Sequence, residues 1–319
     1  MELYETYDNP APDGATMSAA RAGDGVRLRV ASWPPTAPAA GTVLLAQGRA
    51  EMIEKYFETV GELRARGFHV VAFDWRGQGG SDRLLRDGRK GHVRDFDEYE
   101  DDLRAVVAAE LASRPRPWFG LFHSMGACIA LSAARKGDLP LERMVCLAPM
   151  VAIHNIRNPK GVLWLARTLC AAGLTNHYIP GGGPVSIATK PYPGNPLTSD
   201  ENRYARNALI ASAFPQLAIG DPTIGWTRAA FTRMAALQAP GFAEAIAIPA
   251  LVLTAGEDRV VSTPAAEAFA ARLGSGGVIS IAGGRHELLM ESDVGRAQVL
   301  AAIDAFFERA PTQAERRPA

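Results

Sequence analysis

The sequence WFGLFHSMGA, residues 118–127, passes from a short apolar run to a serine and then to small residues that suit the start of a helix. A serine on a tight turn between a strand and a helix projects its hydroxyl above the sheet, where a base and a substrate can reach it. The stretch therefore predicts that Ser124 is a nucleophile. The backbone N–H of Met125 would lie at the N-terminus of the helix, where it is suited to bind an oxyanion.

One position departs from the usual form of such a turn, G-x-S-x-G, which has small residues where strand and helix nearly touch. Gly126 fits this pattern, but Phe122 stands in place of the first glycine. Taken alone, the stretch is also compatible with an ordinary core strand that ends in a Ser-Met turn. The two interpretations are distinguished by whether the chain also supplies the acid and the histidine of a catalytic triad.

Two later strands end in turns that supply an acid and a histidine in the order that this turn requires, serine first. Residues 250–255 are typical of a buried parallel strand and run into a polar turn that contains Asp258. Residues 278–282 are typical of another strand, which ends in a glycine-rich turn that presents His286. Imidazole can take the proton of the serine, and a carboxylate can orient the imidazole. The sequence therefore predicts a Ser124, Asp258 and His286 triad.

Each role in this triad has competitors. Glu257 is the alternative acid and ranks second, since the shorter Asp is the commoner acid at this place. The other histidines precede the acid, against the expected order, and they are His69, His92, His123, His154 and His177. The side chain of His123, next to the serine in sequence, is expected to point away from it.

Strands alternate with helices along most of the chain, which predicts an α/β fold with a mostly parallel sheet covered by helices on both faces. Further predicted strands cover residues 26–32, 42–46, 70–73 and 144–147, and the main predicted helices cover 54–66, 96–111 and 296–307. The alternation of strands and helices stops over residues 150–247, between the predicted strands 144–147 and 250–255. This region contains helix candidates and a Pro/Gly-rich stretch, which predict an inserted helical cap above the serine. The α/β core would then comprise 1–149 and 248–309, and the polar segment 310–319 is predicted to be disordered.

The predicted cap contains an apolar helix candidate, residues 161–174. Its Trp164 either packs between cap and core or contacts lipid or an acyl chain. We predict Trp164 and Phe122 as residues of the substrate pocket.

Composition excludes several other classes of function. Lys and Arg number 34, and so do Asp and Glu, so no nucleic-acid partner is expected. The three cysteines lie in apolar runs without metal-ligand spacing, which favours core residues in a reducing compartment and no metal site. The N-terminus lacks the apolar region of a signal peptide, and no apolar stretch reaches the ~18 residues of a membrane span. We expect a cytoplasmic protein, with peripheral contact to the inner membrane as a further expectation, and leave its oligomeric state open.

Several motifs together resemble the serine α/β-hydrolases, from about residue 28 to 307. The motifs are DWRGQGGS at 74–81, HSMG at 123–126, GED at 256–258 and RHE at 285–287. Within this superfamily the chain is most similar to the monoacylglycerol lipase and bacterial lysophospholipase group. LTSD at 197–200 with Arg203-Tyr204, and Pro222-Thr223 with Trp226, are similar to the cap of the bacterial lysophospholipases.

The resemblance implies a carboxylic ester hydrolase that acts on single-chain lipids and requires no metal or organic cofactor. A lysophospholipase that releases a fatty acid is the first expectation, and a monoacylglycerol lipase or a general carboxylesterase is the alternative. Rivals of another class are a lipid acyltransferase and a non-catalytic binding protein on the same fold. An intact triad argues against the binding protein but does not separate the hydrolase from the acyltransferase.

The resemblance also implies a second oxyanion donor. The relatives carry a His-Gly pair where this chain has Gln47-Gly48-Arg49. A backbone N–H group donates whatever the side chain is, so Arg49 is predicted to serve with Met125. The Arg49 side chain is either a solvated loop cation or a partner for the phosphate of a lipid headgroup.

Overall fold

The computed structural model describes residues 1–308, and an eight-stranded sheet runs through its centre. The strands are β1 Thr16–Arg21, β2 Arg27–Trp33, β3 Gly41–Ala46, β4 Phe68–Phe73, β5 Trp118–His123, β6 Arg143–Leu147, β7 Ala250–Ala255 and β8 Gly276–Ile281. The helices are α1 Phe57–Ala65, α2 Asp97–Val106, α3 Met125–Lys136, α4 Pro159–Ala171, α5 Glu201–Ala213, α6 Ile224–Leu237, α7 Thr263–Ala270 and α8 Asp293–Glu308.

The strand order is β1-β2-β4-β3-β5-β6-β7-β8, and β2 is antiparallel to both of its neighbours. The pairs from β4 through β3, β5, β6 and β7 to β8 are all parallel. This arrangement confirms the predicted fold class, a mostly parallel sheet. Because parallel strands point the same way, the turns after β3, β5, β7 and β8 lie at one edge of the sheet, where ligands bind in open α/β sheets.

The sheet is buried on both faces. Every residue of β3, β4, β5 and β7 is buried, which explains why these strands are continuous apolar runs rather than alternating ones. Along β3, Val43 and Leu45 join the cluster formed with α1 and α8, whereas Leu44 and Ala46 join the cluster formed with α2 and α3. The helices on both faces thus match the prediction.

The structure adds three local features that the sequence analysis did not give. Strand β1 was not predicted, since its sequence TMSAAR is poor in the β-branched and aromatic residues that favour strands. The helix predicted to run to residue 111 changes at Val107–Leu111 into a π-helical turn. In β8, Val278 and Ile279 are partly exposed because this strand forms the end of the sheet.

Residues 150–247, which we call the insert, hold α4, α5 and α6 between β6 and β7. Helix α6 packs on the core, because its side chains belong to the same buried cluster as one face of the sheet. Helix α4 is far less covered, and Ala166 is its one buried residue. The assignment of the insert as a separate cap stays a prediction. The predicted disorder of 310–319 concerns residues outside those described.

Candidate active site

Ser124 lies between β5 and α3 with φ 50° and ψ −111°, a backbone conformation that a non-glycine residue rarely adopts. Its N–H donates to the carbonyl of Leu147 on the neighbouring strand (2.9 Å). A Cβ atom on Gly126 would lie 2.6 Å from the carbonyl oxygen of Gln47, so only glycine fits where α3 crosses the end of β3. The sequence therefore folds into the sharp turn that the serine requires.

Phe122 is fully buried in the core beside α3 and does not line the cavity above the serine. The prediction of Phe122 as a pocket residue is therefore wrong. Its ring occupies the space over Gly120, because a Cβ atom on Gly120 would overlap it. The glycine missing from position 122 is thus balanced by a glycine two residues earlier, which leaves room for the ring.

His286 connects the serine to the acid. Its Nε2 lies 2.9 Å from Oγ of Ser124, and its Nδ1 lies 2.9 Å from Oδ2 of Asp258. All three side chains are buried, and each follows a strand at the same edge of the sheet. The structure brings together the three residues predicted as the triad, in a geometry that lets a proton pass from the hydroxyl to the imidazole.

The carboxylate of Asp258 is held in its ionised form. Burial by itself would raise its pKa, but the hydrogen bond from His286 and the backbone N–H groups of Val260 and Val261 outweigh burial and lower it. The two N–H groups donate to Oδ1 at 2.7 and 2.8 Å, which leaves Oδ2 for the imidazole. A fixed anion of this kind orients the ring and stabilises the imidazolium that forms during proton transfer.

The competitors for these roles lie elsewhere. The side chain of Glu257 is exposed, whereas that of Asp258 is buried against His286. His92 bonds to Thr223, at 2.8 Å between Nδ1 and Oγ1, rather than to the serine. The ring of His123 makes hydrogen bonds with Glu51 and the backbone of His286 rather than with Ser124.

The loop after β3 lies against the serine. A Cβ atom on Gly48 would be 3.2 Å from Cβ of Ser124, which places the Gln47-Gly48-Arg49 segment beside the nucleophile. Met125 is the first residue of α3, where N–H groups have no partner within the helix. The position of both segments is compatible with oxyanion binding by the N–H groups of Arg49 and Met125, which stays a prediction.

The DWRGQGGS motif supports this loop rather than the substrate. Asp74 accepts hydrogen bonds from the side chain of Gln47 (2.7 Å) and the backbone N–H of Ile53 (3.0 Å), at the two ends of the loop. Asp74 also pairs with the buried Arg29 (2.6 Å). Gln78 donates to the carbonyl of Gly48 (2.8 Å). The motif thus fixes the backbone that precedes and follows Arg49.

A cavity of about 250 Å³ lies above Ser124 and His286, with Arg49 and Trp226 in its wall. A second cavity of about 400 Å³ is lined by apolar side chains of α4 and α6. The two cavities share the lining residues Ile153, Pro222 and Trp226. The apolar cavity beneath α4 therefore adjoins the cavity above the serine at these three residues.

Trp164 lines neither of these cavities. It is 67% exposed on α4, so its prediction as a pocket residue is wrong. The alternative of packing between cap and core is wrong for the same reason. Residues Leu165 and Leu169 of the same helix, not Trp164, face the apolar cavity.

The LTSD motif of the insert holds the segment that follows His286. Thr198 Oγ1 donates to the carbonyl of Met290 (2.6 Å), and the backbone N–H of Ser199 donates to Glu291 (3.0 Å). Asp200 caps α5 by accepting from the N–H of Arg203 (2.8 Å). The motif therefore ties the insert to the histidine loop, a role that its sequence did not reveal.

A buried group of charged residues beneath the site was missed at the sequence level. Glu51, Lys55, His123 and Glu287 are all less than a tenth exposed, and they connect the loop after β3 with the histidine loop. Their only sequence signal is the presence of charged residues directly beside predicted catalytic positions. Within residues 1–308, no cluster of His, Cys, Asp and Glu has a metal-binding arrangement, and no helix is long and apolar enough to cross a membrane.

Residues 37–293 match the family described as Serine aminopeptidase, S33. The chain is 33% identical to "Lysophospholipase L2" of Escherichia coli (strain K12) in an alignment of 280 residues, which covers 84% of this chain and 80% of that protein. It belongs to this family of serine α/β-hydrolases. The resemblance to the group of monoacylglycerol lipases and bacterial lysophospholipases is thereby confirmed.

More distant comparisons agree with this membership. A "Monoacylglycerol lipase" of Mycolicibacterium smegmatis is 26% identical over 79% of this chain and 82% of that protein. The structure of a soluble variant of monoglyceride lipase from Saccharomyces cerevisiae, in complex with a substrate analog, superposes with a TM-score of 0.75 at 20% identity. It covers 97% of this chain and 100% of that one, and at this identity it shows the shared fold.

Proposed function

We propose that the protein hydrolyses the ester bond of single-chain lipids and acts as a lysophospholipase. The observation that carries this proposal is the pair of 2.9 Å hydrogen bonds that His286 makes to Ser124 and Asp258. The relatives named as lysophospholipases and monoacylglycerol lipases support a lipid ester as the substrate.

The proposed reaction has two halves. Ser124 Oγ attacks the ester carbonyl while His286 Nε2 takes the hydroxyl proton, and the N–H groups of Arg49 and Met125 bind the oxyanion. The bond to the glycerol oxygen then breaks, and His286 returns its proton to that oxygen. Water attacks the acyl-serine, again giving a proton to His286, and the fatty acid leaves as the serine hydroxyl is restored.

The shape of the site suits one acyl chain. The apolar cavity beneath α4 adjoins the cavity above Ser124 at Ile153, Pro222 and Trp226, and its lining is almost wholly hydrocarbon. An alkyl chain placed there would leave water without needing polar partners. The ester would then lie at Ser124, with the glycerol and headgroup on the side of Arg49.

Arg49 favours a phosphate over a neutral glycerol. Its guanidinium stacks over Trp226 (5.1 Å to the ring centroid) and donates to the carbonyl of Gly220 (2.8 Å). Its buried Nε has no hydrogen-bond partner among residues 1–308. Asp221, in the same cavity wall, raises its pKa, but the two form no ion pair in the described structure. Burial lowers the pKa of Arg49 to about 10, so the group remains a cation at neutral pH. An anionic group at this wall would offset the cost of the buried charge.

Helix α4 offers a surface for peripheral contact with lipid. Trp164 and Leu165 are 67% and 47% exposed, and the exposed cations Arg157, Lys160 and Arg167 flank them. Aromatic and aliphatic side chains beside cations suit the interface of an anionic bilayer. Since α4 also covers the apolar cavity, contact there would bring a lipid tail close to its binding space.

The proposed function is tested by measuring turnover of four substrates by the purified protein. These are lysophosphatidylcholine, lysophosphatidylethanolamine, monoacylglycerol and a short p-nitrophenyl ester. The three lipids carry the same acyl chain. We expect the highest kcat/KM on the two lysophospholipids. A higher kcat/KM on monoacylglycerol would instead support a monoacylglycerol lipase. Formation of an acylated acceptor lipid in place of free fatty acid would support an acyltransferase.

Variants of Arg49 test the headgroup directly. Arg49→Met removes the charge and keeps the backbone N–H, so we expect kcat/KM on lysophospholipid to fall by about tenfold or more. The value on monoacylglycerol should stay within a small factor, and Arg49→Lys should recover part of the loss. An equal fall on both substrates would remove the support for phosphate recognition while leaving ester hydrolysis intact.

A further inference from the structure

Both ring nitrogens of His123 face hydrogen-bond acceptors. Nδ1 lies 3.2 Å from the carboxylate of Glu51, and Nε2 lies 3.1 Å from the backbone carbonyl oxygen of His286. A neutral imidazole carries a single N–H, so one of its nitrogens would direct a lone pair at an acceptor. Only the doubly protonated ring can donate to both.

The carboxylate of Glu51 is ionised and cannot be the donor. It accepts hydrogen bonds from the N–H of Gly48 (2.6 Å), the hydroxyl of Tyr56 (2.7 Å) and the ammonium of Lys55 (2.7 Å). Burial by itself would raise the pKa of Glu51, but Lys55 and His123 lower it well below its usual value. A carboxylate with these donors has no proton to give to His123.

The charges around His123 balance only when its ring is protonated. The ring is packed among Glu51, Lys55, Glu287 and the ring of His286, whose centroid is 4.9 Å away. Lys55 bridges the two glutamates, at 2.7 Å to Glu51 and 2.6 Å to Glu287. Two buried anions therefore face one ammonium, and a neutral His123 would leave one buried charge without compensation.

His123 joins three parts of the site. It precedes Ser124 in sequence, it reaches the loop of Arg49 through Glu51 and Gly48, and it holds the carbonyl of His286. We infer that His123 is an imidazolium that positions the backbone of His286 for proton transfer from Ser124. This inference rests on the proposed function, because it assigns His286 the role of base.

The protonated ring has a consequence for pH. Burial by itself would lower the pKa of His123, but Glu51 more than offsets this, so the pKa lies above its usual value of 6.5. A raised pKa means that the charged ring contributes fully below 6.5 and that its contribution disappears as pH rises through the folded-state value. The positioning of His286 should therefore weaken on the alkaline side.

Two substitutions separate the two hydrogen bonds. The amide nitrogen of Gln in His123→Gln lies near the place of Nε2 and can still donate to the carbonyl of His286. The amide nitrogen in His123→Asn lies near the place of Nδ1 and can donate only to Glu51. We expect His123→Asn to lower kcat on lysophosphatidylcholine by about 10–100-fold with KM little changed, because a displaced base costs rate rather than binding.

We expect His123→Gln to lose less kcat at neutral pH than His123→Asn and to lack the alkaline decline. His69→Gln is the matched control, since His69 is also buried, lies at the start of β4 and has an Nε2 without a partner among the described residues. Its pH profile should follow that of the wild type. Equal losses of kcat and melting temperature in the Asn and Gln variants would reduce His123 to a packing role and overturn the inference.

A spectroscopic test does not depend on turnover. In protein labelled with ¹⁵N-histidine, we expect two ring N–H resonances that are absent from His123→Gln. A single ring N–H resonance for His123 at neutral pH would overturn the inference, even in an active enzyme. Conversely, two resonances in a protein without ester hydrolysis would support the imidazolium and reject the proposed function instead.

Discussion

The ring of Phe122 occupies the space that a side chain on Gly120 would need, so the two residues form one packing unit beneath the serine. We expect Gly120→Ala to lower the free energy of unfolding by about 1–3 kcal/mol, the usual cost of overfilling a core. Gly61→Ala in α1 is the control, because nothing lies within 4 Å of its new methyl group and alanine favours a helix. Denaturant unfolding of both variants checks this, and an unchanged stability of Gly120→Ala would contradict the packing argument.

Asp258 and Glu257 are adjacent carboxylates with different environments, one buried against His286 and one exposed. Asp258→Asn should lower kcat by about 10⁴, because an amide favours the wrong tautomer of the histidine. Glu257→Gln should leave kcat within a small factor of the wild type. Steady-state kinetics on a p-nitrophenyl ester distinguishes them, and comparable losses in the two variants would reopen the choice of acid.

Glu58 links α1 to α5 through Arg203 and Arg206, at 2.6 and 2.7 Å. Burial by itself would raise the pKa of Glu58, but these hydrogen bonds lower it to about 2. A lowered pKa gives stability that is present above the unfolded value of about 4.5 and lost as pH falls toward 2. The melting temperature of the wild type should therefore exceed that of Glu58→Gln at pH 7. This difference in melting temperature should become smaller below about pH 4.

A difference in melting temperature that stays constant across this pH range would show that Glu58 acts through packing rather than through its charge. Thermal melts of the two proteins in parallel buffers, followed by circular dichroism, supply the comparison.

Trp164 is exposed, so its substitution should cost little stability. If α4 contacts lipid, Trp164→Ala should lower activity on long-chain lysophospholipid in anionic vesicles by several-fold while sparing a short soluble ester. Val294→Ala is the control, since Val294 is 74% exposed on α8. A parallel loss on the two substrates would argue against lipid contact by α4.

The catalytic constellation could be predicted because its members follow chemical and topological rules that are visible in the chain. Ser124, Asp258 and His286 each lie in the turn that follows an apolar strand, and the parallel sheet brings such turns to one edge. The core strands could be predicted for a related reason, since strands buried on both faces are uninterrupted apolar runs.

Features that depend on the direction of a side chain could not be predicted from the sequence. Phe122 and Trp164 are large and apolar, but one points into the core and the other into solvent, and neither direction follows from composition. The pairing of Glu51 with His123 joins residues that are far apart in sequence. A charged residue in a loop is usually exposed, so the sequence offered no reason to bury this pair.

The central claim is that Ser124 is the nucleophile of a lysophospholipid hydrolase. Its most direct test is the rate of fatty-acid release from lysophosphatidylcholine by the wild type and by Ser124→Ala. The variant should fold with an unchanged melting temperature, because only one hydroxyl is removed, and its kcat should fall by ~10⁴ or more. If the variant released fatty acid at a rate close to that of the wild type, Ser124 could not be the nucleophile and another residue would have to fill that role.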